Sequence, residues 1–251
     1  MSPALRLTLL SGWGVDSRIW QPLAPHWPEG VSITTPDWPG YALSRDETST
    51  RASTTPALVE PASLTATADA MADKLPADSI WVGWSLGGLL AAALTAHLPP
   101  PRGLILLGAG AQFCAPGGVT PDALADFTHA FDRSPTAAWR HFLRWQSSGE
   151  PAPRDALKQL HALLGKTPPA DTATLAAGLG WLDTLDNRAQ LAALPCPVEH
   201  LAGDNDPLLS ATETTDRLSQ AGHCPMVSQP AALARALYRI AAEMTHPAEA
   251  P

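Results

Sequence analysis

The stretch around residue 85 constrains this chain more than any other. A short apolar run over 79–84 passes straight into Gly83-Trp84-Ser85-Leu86-Gly87, and Gly88 with an alanine- and leucine-rich stretch follows to 98. A strand that turns into a helix through G-x-S-x-G forces its central serine into strained backbone angles. Gly83 and Gly87 are needed there so that neighbouring backbone can approach without Cβ clashes. Ser85 is then exposed at a helix N-terminus, where amide N–H groups and the helix dipole can stabilise an oxyanion.

The rest of the chain repeats the alternation that such a turn requires. Apolar runs at 5–10, 31–35, 79–84, 103–107 and 197–202 have strand length, and helical patterns lie at 62–75, 86–98 and 231–244. Strands alternating with helices specify an α/β fold with a mostly parallel sheet covered by helices on both faces. Two stretches break the rhythm. Residues 44–63 are rich in Ser, Thr and Pro and read as a loop, whereas 111–194 shows amphipathic patches at 122–131, 136–145, 154–164 and 172–185 but no strand. The expected organisation is a core of residues 1–110 and 195–251 with an all-helical cap, 111–194, inserted over the site. At 251 residues with 45% hydrophobic content the chain can bury a sizeable core.

A serine hydroxyl is a weak nucleophile until a histidine takes its proton, and that histidine needs a buried acid to hold its tautomer. After an elbow of this kind the partners follow in the order acid, then histidine. The run 197–202 leads into Gly203-Asp204-Asn205-Asp206-Pro207, so Asp204 and Asp206 compete for the acid, with Asp206 favoured. Of eight histidines, His97, His129, His141 and His161 fall in helical patterns, His26 in an early loop, His200 in a strand and His246 in the tail. His223, in Ala221-Gly222-His223-Cys224-Pro225, is left as the base.

These residues, with Ser11-Gly12-Trp13-Gly14 after the first strand and Asp37-Trp38-Pro39-Gly40-Tyr41 after the second, resemble the α/β-hydrolases over almost the whole chain. Within them the Gly-Trp-Ser-Leu-Gly-Gly elbow paired with Gly-Trp-Gly resembles the pimeloyl-acyl-carrier-protein methyl ester esterases of biotin synthesis, as does the cap sequence around Phe142-Leu143 and Gly178-Leu179. The resemblance implies Ser85 as nucleophile, His223 as general base, Asp206 as its orienting acid and the backbone N–H groups of Trp13 and Leu86 as the oxyanion hole. It also implies an acyl site lined by Trp13, Trp84 and Phe142, and no cofactor. The chain departs from the family in having Ser11-Gly12 where His-Gly is usual, which leaves a backbone donor intact. It begins almost at the strand carrying Gly-Trp-Gly, so the leading hairpin common in the superfamily is expected to be missing. His223 follows Asp206 by only seventeen positions, so the usual helix or strand between them is expected to be shortened or lost.

Charge narrows the partners. With 16 Lys and Arg against 24 Asp and Glu the net charge is −8, which argues against nucleic-acid binding. The longest apolar run, 86–98, contains Thr95 and His97 and is too short to span a membrane, and no secretory leader is evident. Cys114, Cys196 and Cys224 are far apart and suggest neither a disulfide framework nor a metal site, so a cytoplasmic monomer is expected. Between 140 and 166 the sign reverses: Arg140, Arg144, Arg154, Lys158 and Lys166 face only Glu150 and Asp155. Arg140 with Arg144, and Arg154 with Lys158, share helix faces at i,i+4, an arrangement that costs stability unless an anion or an acid meets it. An acyl-carrier protein bearing a methyl pimeloyl chain is the partner that the resemblance implies. A general short-chain carboxylesterase on small esters, an inactive hydrolase-like binding protein, an acyltransferase and a C–C hydrolase share the same signature residues.

Overall fold

The computed structural model describes residues 5–41, 63–209 and 216–245. Most of the loop expected over 44–63, and His246, lie outside the described residues. Ser63 does not: its hydroxyl accepts from the Ala66 amide and starts α1 (Leu64–Met71).

Six strands form one sheet: β1 (Leu5–Leu10), β2 (Val31–Thr34), β3 (Ile80–Trp84), β4 (Gly103–Leu107), β5 (Val198–Gly203) and β6 (Asp216–Leu218). Their order is β2-β1-β3-β4-β5-β6, and every neighbouring pair is parallel. Every residue of β3 and β4 is buried, as strands covered on both faces require. On one side α2 (Leu86–Leu94) packs on β1, β3 and β4 and is joined by α1; on the other α9 (Pro230–Thr245) meets β1, β4 and a 3₁₀ segment, Ser17–His26. Besides two short helices, Arg188–Ala192 and Pro225–Ser228, two elements are not legible in the sequence. The 3₁₀ segment carries Pro22 and Pro25, which remove α-helical donors, and β6 is three residues long with no apolar run.

Between β4 and β5 the chain is helical: α3 (Pro121–Arg133), α4 (Pro135–Gln146), α5 (Pro153–Leu164), α6 (Thr172–Thr184) and α7 (Arg188–Ala192). Three of these begin with proline in the first turn, where its missing N–H has no intrahelical role. α6 packs on α2, and α5 reaches the 3₁₀ segment and the short α8 (Pro225–Ser228), so this region touches both helical layers. Its inner face meets Trp13, whose ring makes edge contacts with Phe127, Phe131 and Phe142 at centroid separations of 5.6, 5.9 and 5.1 Å.

The order places β1 and β3 side by side with chain crossing to opposite flanks from each, the switch point at which open α/β sheets leave a crevice at their carboxyl ends. Leu10 pairs with Gly83 and Trp84 with Leu107, so Ser11, Ser85 and Gly108 emerge together at that edge. Because β4 is fully enclosed, Leu106→Ala should lower unfolding free energy by about 2–5 kcal/mol. A urea titration with unchanged slope and a lower midpoint checks this; a loss below about 1 kcal/mol would contradict a close-packed β4.

Candidate active site

At the end of β3, Ser85 has φ 56° and ψ −126°, a conformation that L residues rarely adopt. Its amide donates to the Leu107 carbonyl at 2.9 Å, and the Gly88 amide returns to the Ser85 carbonyl at 2.9 Å, fixing the turn from both sides. A Cβ at Gly83 would fall 2.4 Å from Gly88 Cα, and one at Gly87 would fall 2.5 Å from the Ser11 carbonyl oxygen. The two glycines are therefore steric requirements of the turn itself and of its contact with the loop after β1.

That loop is held by indoles and a phenol. Trp38 Nε1 donates to the Ser11 carbonyl at 2.8 Å, Trp139 Nε1 to the Gly14 carbonyl at 2.7 Å, and the Gly14 amide to Tyr41 Oη at 3.1 Å. Burial pushes the Tyr41 phenol up to about 12, so it stays a neutral partner across the working range. The motif 37–41 thus acts on the loop after β1. Leu86 supplies the first amide of α2, which has no acceptor within its own helix.

At the far side, His223 Nδ1 donates to Asp206 Oδ2 at 2.8 Å, and both side chains are almost fully buried. The second carboxylate oxygen of Asp206 accepts from the Leu208 amide at 2.9 Å. Asp204 is exposed, its amide bonded to the Leu218 carbonyl, so the structure brings Asp206 and not Asp204 to the imidazole. Main-chain bonds from Asn205 to Ala221 (2.9 Å) and from Asp204 to Leu218 (3.0 Å) tie the two loops together. The seventeen-residue separation is thus spanned with β6 as its strand, and no helix occurs in it among the described residues. His223 Nε2 is buried and has no hydrogen-bond partner among the described residues, so the bond to Ser85 Oγ is not made in this conformation. Such bonds often tighten only when substrate is bound.

Of the aromatic residues expected to line the acyl site, none borders the narrow cavity at Ser85, which is walled by Leu89, Gly108, Ala109, Phe113, Leu208 and Leu209 among others. Trp84 lies behind the histidine, its indole donating to the His223 carbonyl at 2.8 Å and its ring 5.3 Å from the imidazole. Trp13 and Phe142 sit in the aromatic cluster beneath α3 and α4, and Trp13 Nε1 donates to the Leu175 carbonyl at 2.8 Å. A second apolar cavity, bounded by Trp38, Tyr41, Leu86, Leu90, Gly178 and Trp181, meets the residue after the serine.

Arg140, Arg144, Arg154 and Lys158 are all exposed, and among the described residues none makes an ion pair. Glu150, which in sequence stands among the charges of that surface, is instead buried, its carboxylate accepting from the Gly222 and Cys224 amides and the Ser228 hydroxyl. Nothing local in Ser-Ser-Gly-Glu-Pro signals this, because the donors arrive from 72 to 78 residues away. No cluster of His, Cys, Asp and Glu able to hold a metal occurs among the described residues, and no helix there is long and apolar enough to cross a membrane.

A family model described as the alpha/beta hydrolase family matches residues 9–236. A pimeloyl-acyl-carrier-protein methyl ester esterase of Aromatoleum aromaticum is 31% identical over 89% of this chain and 93% of its own length, and one of a Shewanella species is 32% identical over 88% and 85%. A biotin biosynthesis bifunctional protein of Cellvibrio japonicus is 37% identical over 81% of this chain, which spans 38% of that longer protein. Among solved structures, an esterase of Exiguobacterium antarcticum superposes with TM-score 0.72 at 16% identity (96% of this chain, 93% of the other). One from Thermogutta terrifontis superposes at 0.69 and 21% (96% and 90%), likenesses of fold.

Burial, with the Glu150 and Asp206 carboxylates nearby, pushes the Cys224 thiol well above its ordinary range. Thiolate is the reactive form, so at pH 7.5 iodoacetamide should label the partly exposed Cys114 and Cys196 well before Cys224. Intact-mass analysis should show two adducts on the folded protein and three after unfolding; native modification of Cys224 as fast as the others would contradict its placement.

Proposed function

The chain belongs to the alpha/beta hydrolase family and is a carboxylic ester hydrolase, and on that premise we propose that it cleaves the methyl ester of a pimeloyl chain carried on acyl-carrier protein. The observation that carries the chemistry is the buried His223–Asp206 pair packed against Gly108, which shares a cavity wall with a serine held at positive φ. Ser85 Oγ attacks the ester carbonyl while His223 Nε2 takes its proton, and Asp206 holds the imidazole in the tautomer that leaves Nε2 free. The amides of Trp13 and Leu86 receive the tetrahedral oxyanion. Collapse expels methanol with the proton returned by His223; a water deprotonated by the same imidazole then attacks the acyl-enzyme and frees the carboxylate and Ser85. No step calls for a cofactor.

We assign residues 111–194 as a cap on a core of 1–110 and 195–251. Support for a carrier as the partner is its exposed basic quartet Arg140, Arg144, Arg154 and Lys158, which among the described residues makes no ion pair, on a protein of net charge −8. An acidic carrier would be steered to it and would relieve the like-charge repulsion along α4 and α5. Leu89, Phe113, Leu208 and Leu209 give the narrow cavity at Ser85 an apolar side on which an acyl chain could be placed.

The test is hydrolysis of pimeloyl-carrier methyl ester beside p-nitrophenyl acetate. Ser85→Ala should abolish both. Arg140→Glu, or salt raised to about 0.5 M, should lower kcat/KM for the carrier ester by roughly tenfold and leave the small ester within about twofold. Cleavage of the small ester alone would make this a general short-chain carboxylesterase and remove the carrier reading.

A further inference from the structure

Glu150 occupies an unusual position for a charge. It follows α4 in the turn that leads to α5, it is 4% exposed, and among the described residues no cation pairs with it. Its carboxylate is satisfied by neutral donors: the Gly222 N–H at 3.1 Å, the Cys224 N–H at 2.5 Å and the Ser228 hydroxyl. The two amides belong to the residues immediately before and after His223. A buried carboxylate is tolerated only when fully hydrogen-bonded, and bonds to an ionised acceptor are shorter and about twice as strong as neutral ones. Backbone on both sides of the histidine is therefore clamped to one rigid acceptor.

The same turn also meets the acid's loop. A Cβ on Gly149 would lie 1.9 Å from the Asn205 carbonyl oxygen, and one on Gly222 would lie 2.8 Å from the Glu150 amide nitrogen. The Cys224 thiol donates to the Gln146 carbonyl at 3.7 Å, adding a contact one turn earlier. Residues 146–150 are thus wedged between the loop that carries Asp206 and the loop that carries His223, and only glycine backbone permits so close a fit.

We propose that Glu150 is a positioning residue for the general base: by holding the 222 and 224 amides it sets the imidazole so that Nδ1 stays on Asp206 while Nε2 remains available to the serine. The proposal rests on the reading of Ser85, His223 and Asp206 given above. Geometry of this kind matters because displacement of a reacting group by about 1 Å can cost on the order of 100-fold in rate. Glu150→Gln keeps the shape but turns an NH2 toward one of the N–H or O–H donors, so at least one bond is lost. Glu150→Asp keeps the charge and draws it back by one methylene.

The experiment uses the full chain with p-nitrophenyl acetate, which avoids any dependence on carrier docking. Glu150→Gln should lower kcat by about 10- to 100-fold with KM within about twofold, and Glu150→Asp by a smaller factor. The downfield proton resonance of the His223–Asp206 bond should shift or broaden in both. A kcat equal to wild type in either variant, or a loss of kcat with that resonance unchanged, would make Glu150 a structural latch and overturn the proposal. If Glu150→Gln does not fold, Glu150→Asp alone decides between the same outcomes. Ser85→Ala and His223→Ala separate the two levels: activity surviving in them would overturn the triad reading, whereas their inactivity beside a fully active Glu150 variant would overturn only the role of Glu150.

Discussion

The backbone at Ser85 is the constraint from which the rest of the site follows. A non-glycine residue at φ 56° costs on the order of 1–3 kcal/mol and persists only where its surroundings over-determine it. Here β3 and β4 enclose it, Leu107 and Gly88 bond its amide and carbonyl, and Gly83 and Gly87 leave no room for side chains. The result is a hydroxyl projected from the carboxyl edge of the sheet, next to the first amides of α2, in a crevice that the strand order opens between β1 and β3. Trp13, Asp206 and His223 follow three other strands, β1, β5 and β6.

Holding loops from several strands in register is the work of a few buried donors. Indoles of Trp13, Trp38, Trp84 and Trp139 each give their N–H to a main-chain carbonyl: Leu175, Ser11, His223 and Gly14. Each joins a large apolar body to one directed polar contact, which makes tryptophan suited to a core that must also fix loop geometry. Glu150 makes the complementary choice, an acceptor offered to amides of the loop after β6. Through Trp139 and Glu150 the helical region between β4 and β5 is therefore bonded to the loop after β1 and to the loop after β6.

The sequence discloses these features unevenly, for physical reasons. Five strands end within one residue of where their apolar runs place them; β3 and β4 are buried on both faces and write a continuous hydrophobic signal, whereas β2 alternates half-buried and exposed residues. β6 escapes because Asp-Arg-Leu carries no such run and depends on β5 for its pairing. Asp204 and Asp206 cannot be separated from spacing alone; the turn after β5 aims one at the imidazole and the other at solvent. The resemblance places Trp13, Trp84 and Phe142 at the acyl site; none of them borders the narrow cavity at Ser85, Trp84 lying against the histidine and Phe142 against Trp13. Glu150 reads as a surface charge because its partners are distant in sequence and none leaves a local trace.

The central claim is that the strained serine, the buried histidine and Asp206 form one working nucleophile. Its most direct test is the rate of covalent labelling by a fluorophosphonate, located by peptide mass spectrometry, in wild type, Ser85→Ala, His223→Ala, Asp204→Ala and Asp206→Ala. A single adduct on Ser85 is expected, absent in Ser85→Ala, slowed by about 100-fold or more in His223→Ala and Asp206→Ala, and unaffected in Asp204→Ala. Labelling at another residue, or Asp204→Ala slowed while Asp206→Ala is not, would contradict the assignment.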